Sequence, residues 1–217
     1  MAFSISASAG NLAISTSYTL PSSYSTKAGD VVMLGIGSAN SNWTGVTVSG
    51  LGATWIVRSL FQGNGNLFAI GYNCSAGQTT ITVSSNPSTS GGAEIVVWSG
   101  LSTAAPTQLF ATNTATQAVA ITVTGLSWNA GQLCVAYGQA FTFANYVDTW
   151  NGVNGTNAAT GNALRQSYIN YYLPSTSVSG VSYVSPAATG ANAINGLFGF
   201  TFNAAPSHNN LLLMNAG

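Results

Sequence analysis

The side chains able to do acid–base, nucleophilic or metal chemistry are few: Asp30, Glu94, Asp148, Lys27, Arg58, Arg165, His208, Cys74 and Cys134. Acid–base catalysis needs titratable groups held together with shifted pKa values, and these three carboxylates lie in three distant segments. Asp30 follows a glycine at a strand start, where an Asx-type turn bond accounts for it. Glu94 begins a strand and is expected to pair with Arg58 or Lys27. Asp148 adjoins a long loop. A Ser-His-Asp triad would have to use His208, which sits in a turn-like approach to the last strand, and no Gly-x-Ser-x-Gly elbow accompanies it. Gly63-Asn64-Gly65-Asn66 lacks the lysine and following helix of a phosphate loop and reads as a hairpin turn. Calcium would call for an Asp-x-Asp run, and zinc for histidines near the two sulfurs. Cys74 and Cys134 read as buried free thiols, with a disulfide left open because spacing does not decide it. No catalytic residue, cofactor or metal is expected, so the chain reads as non-enzymatic.

Aromatic residues are the remaining chemical resource. Sugar-binding modules stack pyranose rings on exposed Trp and Tyr and add amide hydrogen bonds. Trp43, Trp55, Trp98 and Trp128 fall within or beside apparent strands, where core packing is the expectation. Trp150 with Tyr146, beside the amides of Asn151 and Asn154, is the candidate for an exposed partner or glycan contact. Sequons begin at Asn42, Asn73 and Asn154, as chance supplies in a chain this rich in Asn, Ser and Thr.

The scarcity of ions is itself informative. Charged residues make up 3% of the 217 residues, against about 25% in an ordinary soluble domain, while the hydrophobic fraction of 46% is ordinary. Ser, Thr, Asn and Gly have replaced the charges. A monomer of this size exposes roughly 9,000 Å², so six charges amount to about one per 1,500 Å², more than the ~800 Å² each partner gives to a standard interface. Such a surface can pack neighbours on several sides without desolvating an ion, which suits an assembly subunit. Clustered Lys and Arg for nucleic acid are missing, as are a basic face for acidic membranes and a run of about 20 apolar residues. The start Met-Ala-Phe-Ser-Ile-Ser lacks the regions of a signal peptide. Manufacture in a cytoplasm and use outside it meet in virus particles. With so few ions, folding and assembly are expected to depend little on salt or on pH between 5 and 9.

The elements that must position these residues are strands. Alternation and short apolar runs recur, as in Phe3–Ser8, Leu12–Tyr18, Val31–Ile36, Trp55–Leu60, Leu67–Asn73, Glu94–Trp98, Gln132–Tyr137, Tyr168–Leu173, Val178–Val184, Leu197–Phe202 and Leu211–Met214. Turn signals such as Ala9-Gly10-Asn11, Ala28-Gly29-Asp30 and Ala130-Gly131 separate them. Many short strands at near-regular spacing predict an all-β antiparallel sandwich. A long-range echo is visible: Ala28-Gly29 before Val31–Ile36 resembles Ala130-Gly131 before Leu133–Tyr137. The same offset sets Leu67–Tyr72 near Ile169–Tyr172, Ile81–Val83 near Tyr183–Ser185, and Glu94–Trp98 near Gly196–Phe200. A pseudo-repeat of that kind fits a jelly roll built from two similar halves. No charged or Pro-rich linker divides the chain, so residues 1–217 are read as a single sandwich domain. Thr149 to Ala163 is the longest strand-poor stretch and is read as a loop or arm that touches a partner.

Ala28-Gly-Asp-Val-Val-Met-Leu, Val46-Thr-Val-Ser-Gly-Leu-Gly-Ala-Thr-Trp and Leu67-Phe-Ala-Ile-Gly-Tyr form one half of a further pattern. Ala76-Gly-Gln-Thr-Thr-Ile-Thr-Val and Ala93-Glu-Ile-Val-Val-Trp-Ser-Gly-Leu complete it. Together they resemble a β-sandwich group found in tailed-phage virion proteins and some bacterial surface proteins, most strongly over residues 28–138. The resemblance implies a jelly-roll-like module on a particle exterior, as a head decoration (cement) protein or in a tail fibre, and brings no catalytic residues. The expected partners are the major capsid protein or other virion proteins and further copies of the chain. The competing readings are a host-recognition or carbohydrate-binding fibre module, and a neutral extracellular filament subunit joined by strand addition through Phe3–Ser8 or Leu211–Met214.

Overall fold

The computed structural model describes residues 3–39, 42–61, 64–85, 91–112, 120–140, 147–160, 166–187 and 194–206. Among them the regular structure is antiparallel β, apart from one 3-10 turn at Pro21–Ser23. The first half holds β1 (Ser4–Leu12), β2 (Ser17–Thr19), β3 (Val31–Ala39), β4 (Val48–Gly50), β5 (Thr54–Phe61), β6 (Asn64–Tyr72), β7 (Thr80–Val83) and β8 (Gly91–Ser99). The second holds β9 (Thr107–Thr112), β10 (Thr122–Trp128), β11 (Leu133–Ala140), the hairpin β12 (Thr149–Trp150) and β13 (Val153–Asn154), β14 (Thr156–Thr160), β15 (Gln166–Tyr172), β16 (Val178–Val184) and β17 (Ile194–Phe202).

Each half is a sandwich, and both have the same strand order. The first pairs β1-β8-β3-β6-β5 against β2-β7-β4; the second pairs β9-β17-β11-β15-β14 against β10-β16-β12-β13. In both, the first strand lies beside the last, as in a jelly roll. The halves pack through their five-stranded sheets, which gives four layers and three cores. Alternation along β3 explains how: Val32, Leu34 and Ile36 enter the outer core, while Val31 and Met33 face the other half. On β11, Cys134 and Ala136 point outward and Leu133, Val135 and Tyr137 point to the seam. Strands buried on both faces lose the polar half of their alternation, which is why β8 is buried from Gly92 to Trp98.

Equivalent positions of the halves meet at the seam. The ring of Tyr137 covers Gly35, where a Cβ would come within 2.3 Å of it; Gln139 covers Gly37 in the same way. Tyr137 also stacks on Phe68 at 5.1 Å and 4°. Beyond β8 and β17, Leu101 and Ala204 bridge antiparallel, with Ser102 N–H donating to Asn203 O and Ala205 N–H to Gly100 O. The two sandwiches are therefore related by an approximate two-fold axis along β3 and β11.

Four segments differ from the sequence expectations. Leu12–Tyr18, expected as one strand, is split between the end of β1 and β2, and Asn64, Gly65 and Asn66, expected in a turn, open β6, with Gly65 opposite Phe61 and Asn66 opposite Leu60. Ala9-Gly10-Asn11 is a bulge inside β1, with Ala9 opposite Ile95, Leu12 opposite Ala93 and Asn11 at φ 58°, so the strand continues where a turn was expected. Thr149 to Thr160 is β-structure: Asn151 (φ 49°) and Gly152 (φ 78°) form the two-residue hairpin turn that positive φ at both positions specifies. Leu211–Met214 lies outside the described residues.

Candidate functional site

The three acids are all buried, and each has its own surroundings. Asp30 closes the turn before β3: Oδ2 accepts the Lys27 N–H and the Tyr24 hydroxyl, each at 2.8 Å, and Oδ1 accepts the Ser99 hydroxyl at 2.6 Å. The side chain closes this turn by reaching back three residues to Lys27, where an Asx-type bond to the residue two ahead was expected. Glu94 sits mid-seam on β8, where the Ser167 hydroxyl donates to Oε1. It pairs with neither Arg58 nor Lys27, because its strand position aims it into the seam while both cations are exposed. Arg58 instead donates to Gln108 Oε1 at 2.7 Å. Burial raises the Glu94 carboxyl to about 8, against the smaller lowering effect of Ser167. Asp148 lies in the second outer core, its Oδ2 accepting the Tyr183 hydroxyl at 2.8 Å, with Tyr168 3.1 Å beyond. Burial holds its carboxyl well above the usual range. Both shifts run against the expectation of little pH dependence between 5 and 9, since burial moves the two carboxyls upward. Arg165 and His208 lie outside the described residues.

Burial also settles the thiols and the aromatic candidates. Cys74 and Cys134 are free and buried, which pushes both up to about 12. Trp150 is 0% exposed. Its Nε1 donates to Asn170 Oδ1 at 3.2 Å, and its ring packs on Tyr183 at 4.8 Å and Trp128 at 5.8 Å. It presents no face to a sugar, because the Asn151-Gly152 hairpin folds it into the second outer core. Asn151 and Asn154 remain exposed on that hairpin; Tyr146 lies outside the described residues.

A concave site lies elsewhere, at the end of the second sandwich between β9 and β10. A cleft of about 580 Å³ falls in the size range of small-ligand pockets. Thr107, Leu109 and Thr201 line it from the five-stranded sheet, Ser127, Trp128 and Val178 from the other, and Gln132 from the turn before β11. None of its lining residues is charged. Gln132 is fixed by two bonds: Oε1 accepts the Asn129 N–H at 2.8 Å and Nε2 donates to Asn203 Oδ1 at 2.9 Å. Such a site can offer amide and hydroxyl hydrogen bonds beside apolar surface. Nothing in the sequence marks it, because its residues are ordinary strand-end and turn residues from four separate segments.

Compared with protein-family models, with curated proteins and with solved structures, the chain matches none.

Proposed function

We propose that this chain is a non-enzymatic structural protein of a phage virion, a decoration or cement subunit that binds the assembled shell. The observation that carries the reading is the exterior: among the described residues the exposed formal charges are Lys27 and Arg58 alone. The outer face of β2, β7 and β4 carries Ser17, Thr19, Ser49, Thr80 and Thr82, all exposed hydroxyls in facing pairs. A neutral hydroxyl surface lets subunits meet through hydrogen bonds and apolar contacts without desolvating ions, and binding only the assembled state stabilises that state. The resemblance of residues 28–138 and the jelly-roll-like strand order support the same reading. The partners are the major capsid protein or other virion proteins and further copies of this chain.

Mass spectrometry of particles purified from the native host tests this. A subunit present in a copy number matching the capsomers is expected, retained at about 1 M salt, where screening acts within roughly 3 Å. Its absence from the particles overturns the reading. A second reading, a carbohydrate-binding fibre module, draws on the uncharged cleft beside Trp128; a glycan array with the whole chain separates the two.

A further inference from the structure

The two sandwiches differ where the cleft lies. Residues 26–30 and 128–132 follow the same path into the central strand. Gly29 and Gly131 take φ 84° and 77°, and Asp30 N–H donates to Lys27 O as Gln132 N–H does to Asn129 O. Lys27 N–H donates to Asp30 Oδ2 as Asn129 N–H does to Gln132 Oε1, both at 2.8 Å. Ser99 and Asn203, each one residue past the partner of Val31 or Leu133, complete the match. Just before this turn the halves part. In the first, Leu20 N–H donates to Thr79 O and Thr26 N–H to Gln78 O, so residues 21–25 leave the strand path between neighbouring rungs. In the second, Leu126 pairs with Val181 and Trp128 with Val178, and Ser127 alone spans the gap.

The extra residues bring Tyr24 onto the first outer core, where its hydroxyl reaches Asp30 and leaves that side chain 2% exposed. Among the described residues the second half has no such plug, and its cleft opens at Ser127, Trp128 and Gln132. Asp30 Oδ2 accepts two hydrogen bonds, from Lys27 N–H and from the Tyr24 hydroxyl; Gln132 Oε1 accepts the Asn129 N–H and, as a carbonyl oxygen, has a second lone pair.

We propose that the cleft is a docking pocket for a tyrosine side chain on a neutral, extended segment of a partner protein, in the place Tyr24 fills in the first sandwich. The phenol enters between Leu109, Trp128 and Val178, and its hydroxyl donates to Gln132 Oε1. Neutrality follows from the lining: no charged side chain is there to meet an ion, and desolvating one unpaired is costly. The inference does not rest on the virion reading, since any partner protein able to present such a segment satisfies it.

The test uses the whole chain, labelled with ¹⁵N, titrated with N-acetyl-tyrosinamide and with the acetylated peptide Pro-Ser-Ser-Tyr-Ser-Thr. Saturable shifts at the Gln132 side-chain amide and the Trp128 indole are expected. N-acetyl-phenylalaninamide should bind about tenfold more weakly, the effect of one hydrogen bond of about 1.4 kcal/mol. Two variants should abolish the shifts: Thr107→Trp, which fills the cleft from an exposed position, and replacement of Ser127 by the stretch Pro21–Ser25, which supplies the plug. Absence of saturable binding, equal affinity for the phenylalanine probe, shifts that persist in a folded variant, or preference for a methyl glycoside over the tyrosine probe would each overturn the proposal.

Discussion

Glu94 and Ser167 meet across the seam between the two sandwiches, the serine hydroxyl donating to a carboxyl that burial keeps protonated at neutral pH. The Asp148 carboxyl in the second outer core is raised by the same cause, against the smaller lowering effect of the Tyr183 and Tyr168 hydroxyls. In the unfolded chain both would ionise in the ordinary carboxylate range, so unfolding near pH 7 releases protons and stability falls as pH rises. For Glu94 the stabilisation is complete below about 4.5 and lost progressively until about 8. Each group contributes at most about 1.4 kcal/mol per pH unit. Urea unfolding at pH 5, 6.5 and 8 should show a falling midpoint, and Glu94→Gln should flatten part of the slope. An unchanged midpoint would mean that the acids are ionised in the fold.

The same protonation alters the native charge. The sequence carries three cations and three acids; with Glu94 neutral the folded protein has a net charge of about +1 at pH 7 from these side chains, and the raised Asp148 carboxyl acts in the same direction. Native isoelectric focusing should therefore place the protein above the sequence value of 6.5, and focusing in urea should return it there. Coincident positions would contradict a buried, neutral Glu94.

Trp150→Ala is a folding lesion and so cannot serve as a test of sugar binding. It removes a fully buried indole and leaves Asn170 Oδ1 without its donor, which should cost about 3–5 kcal/mol. Chemical denaturation measures this directly; a loss below about 1 kcal/mol would mean the ring is more exposed than described.

Glycines at the seam should resist substitution. A Cβ on Gly35 would lie 2.3 Å from the Tyr137 ring, and one on Gly10 would lie 2.0 Å from Thr160 O. Gly35→Ala and Gly10→Ala should each destabilise by about 1–3 kcal/mol through overpacking. Thermal melts showing no loss at either position would indicate that the sheets are farther apart than they stand here.

The strands were legible because their alternation survives in the sequence, and the echo between halves placed β11, β15, β16 and β17 on the correct counterparts. It did not give the register. The echo set Glu94 against Gly196, whereas Glu94 faces Gly35 and Phe198 faces Tyr137, making Phe198 its counterpart. Bulges and slips change residue counts without changing composition, so nothing in the residue types marks them. The four layers were hidden for a related reason: residues entering all three cores are equally apolar. The hairpin at Asn151-Gly152, by contrast, carried a readable turn signal. The cleft was not legible, since it is defined by a segment that one half has and the other lacks.

The approximate two-fold axis has a further consequence for Gly35 and Tyr137. Between two identical separate chains, a residue on such an axis must fit a copy of itself, so a glycine would face a glycine and leave a hole, and a tyrosine would face a tyrosine and clash. Joining both sandwiches in one chain lifts that restriction. One side can then be the socket and the other the knob, and an interface that symmetry would leave either hollow or crowded is filled by a single ring.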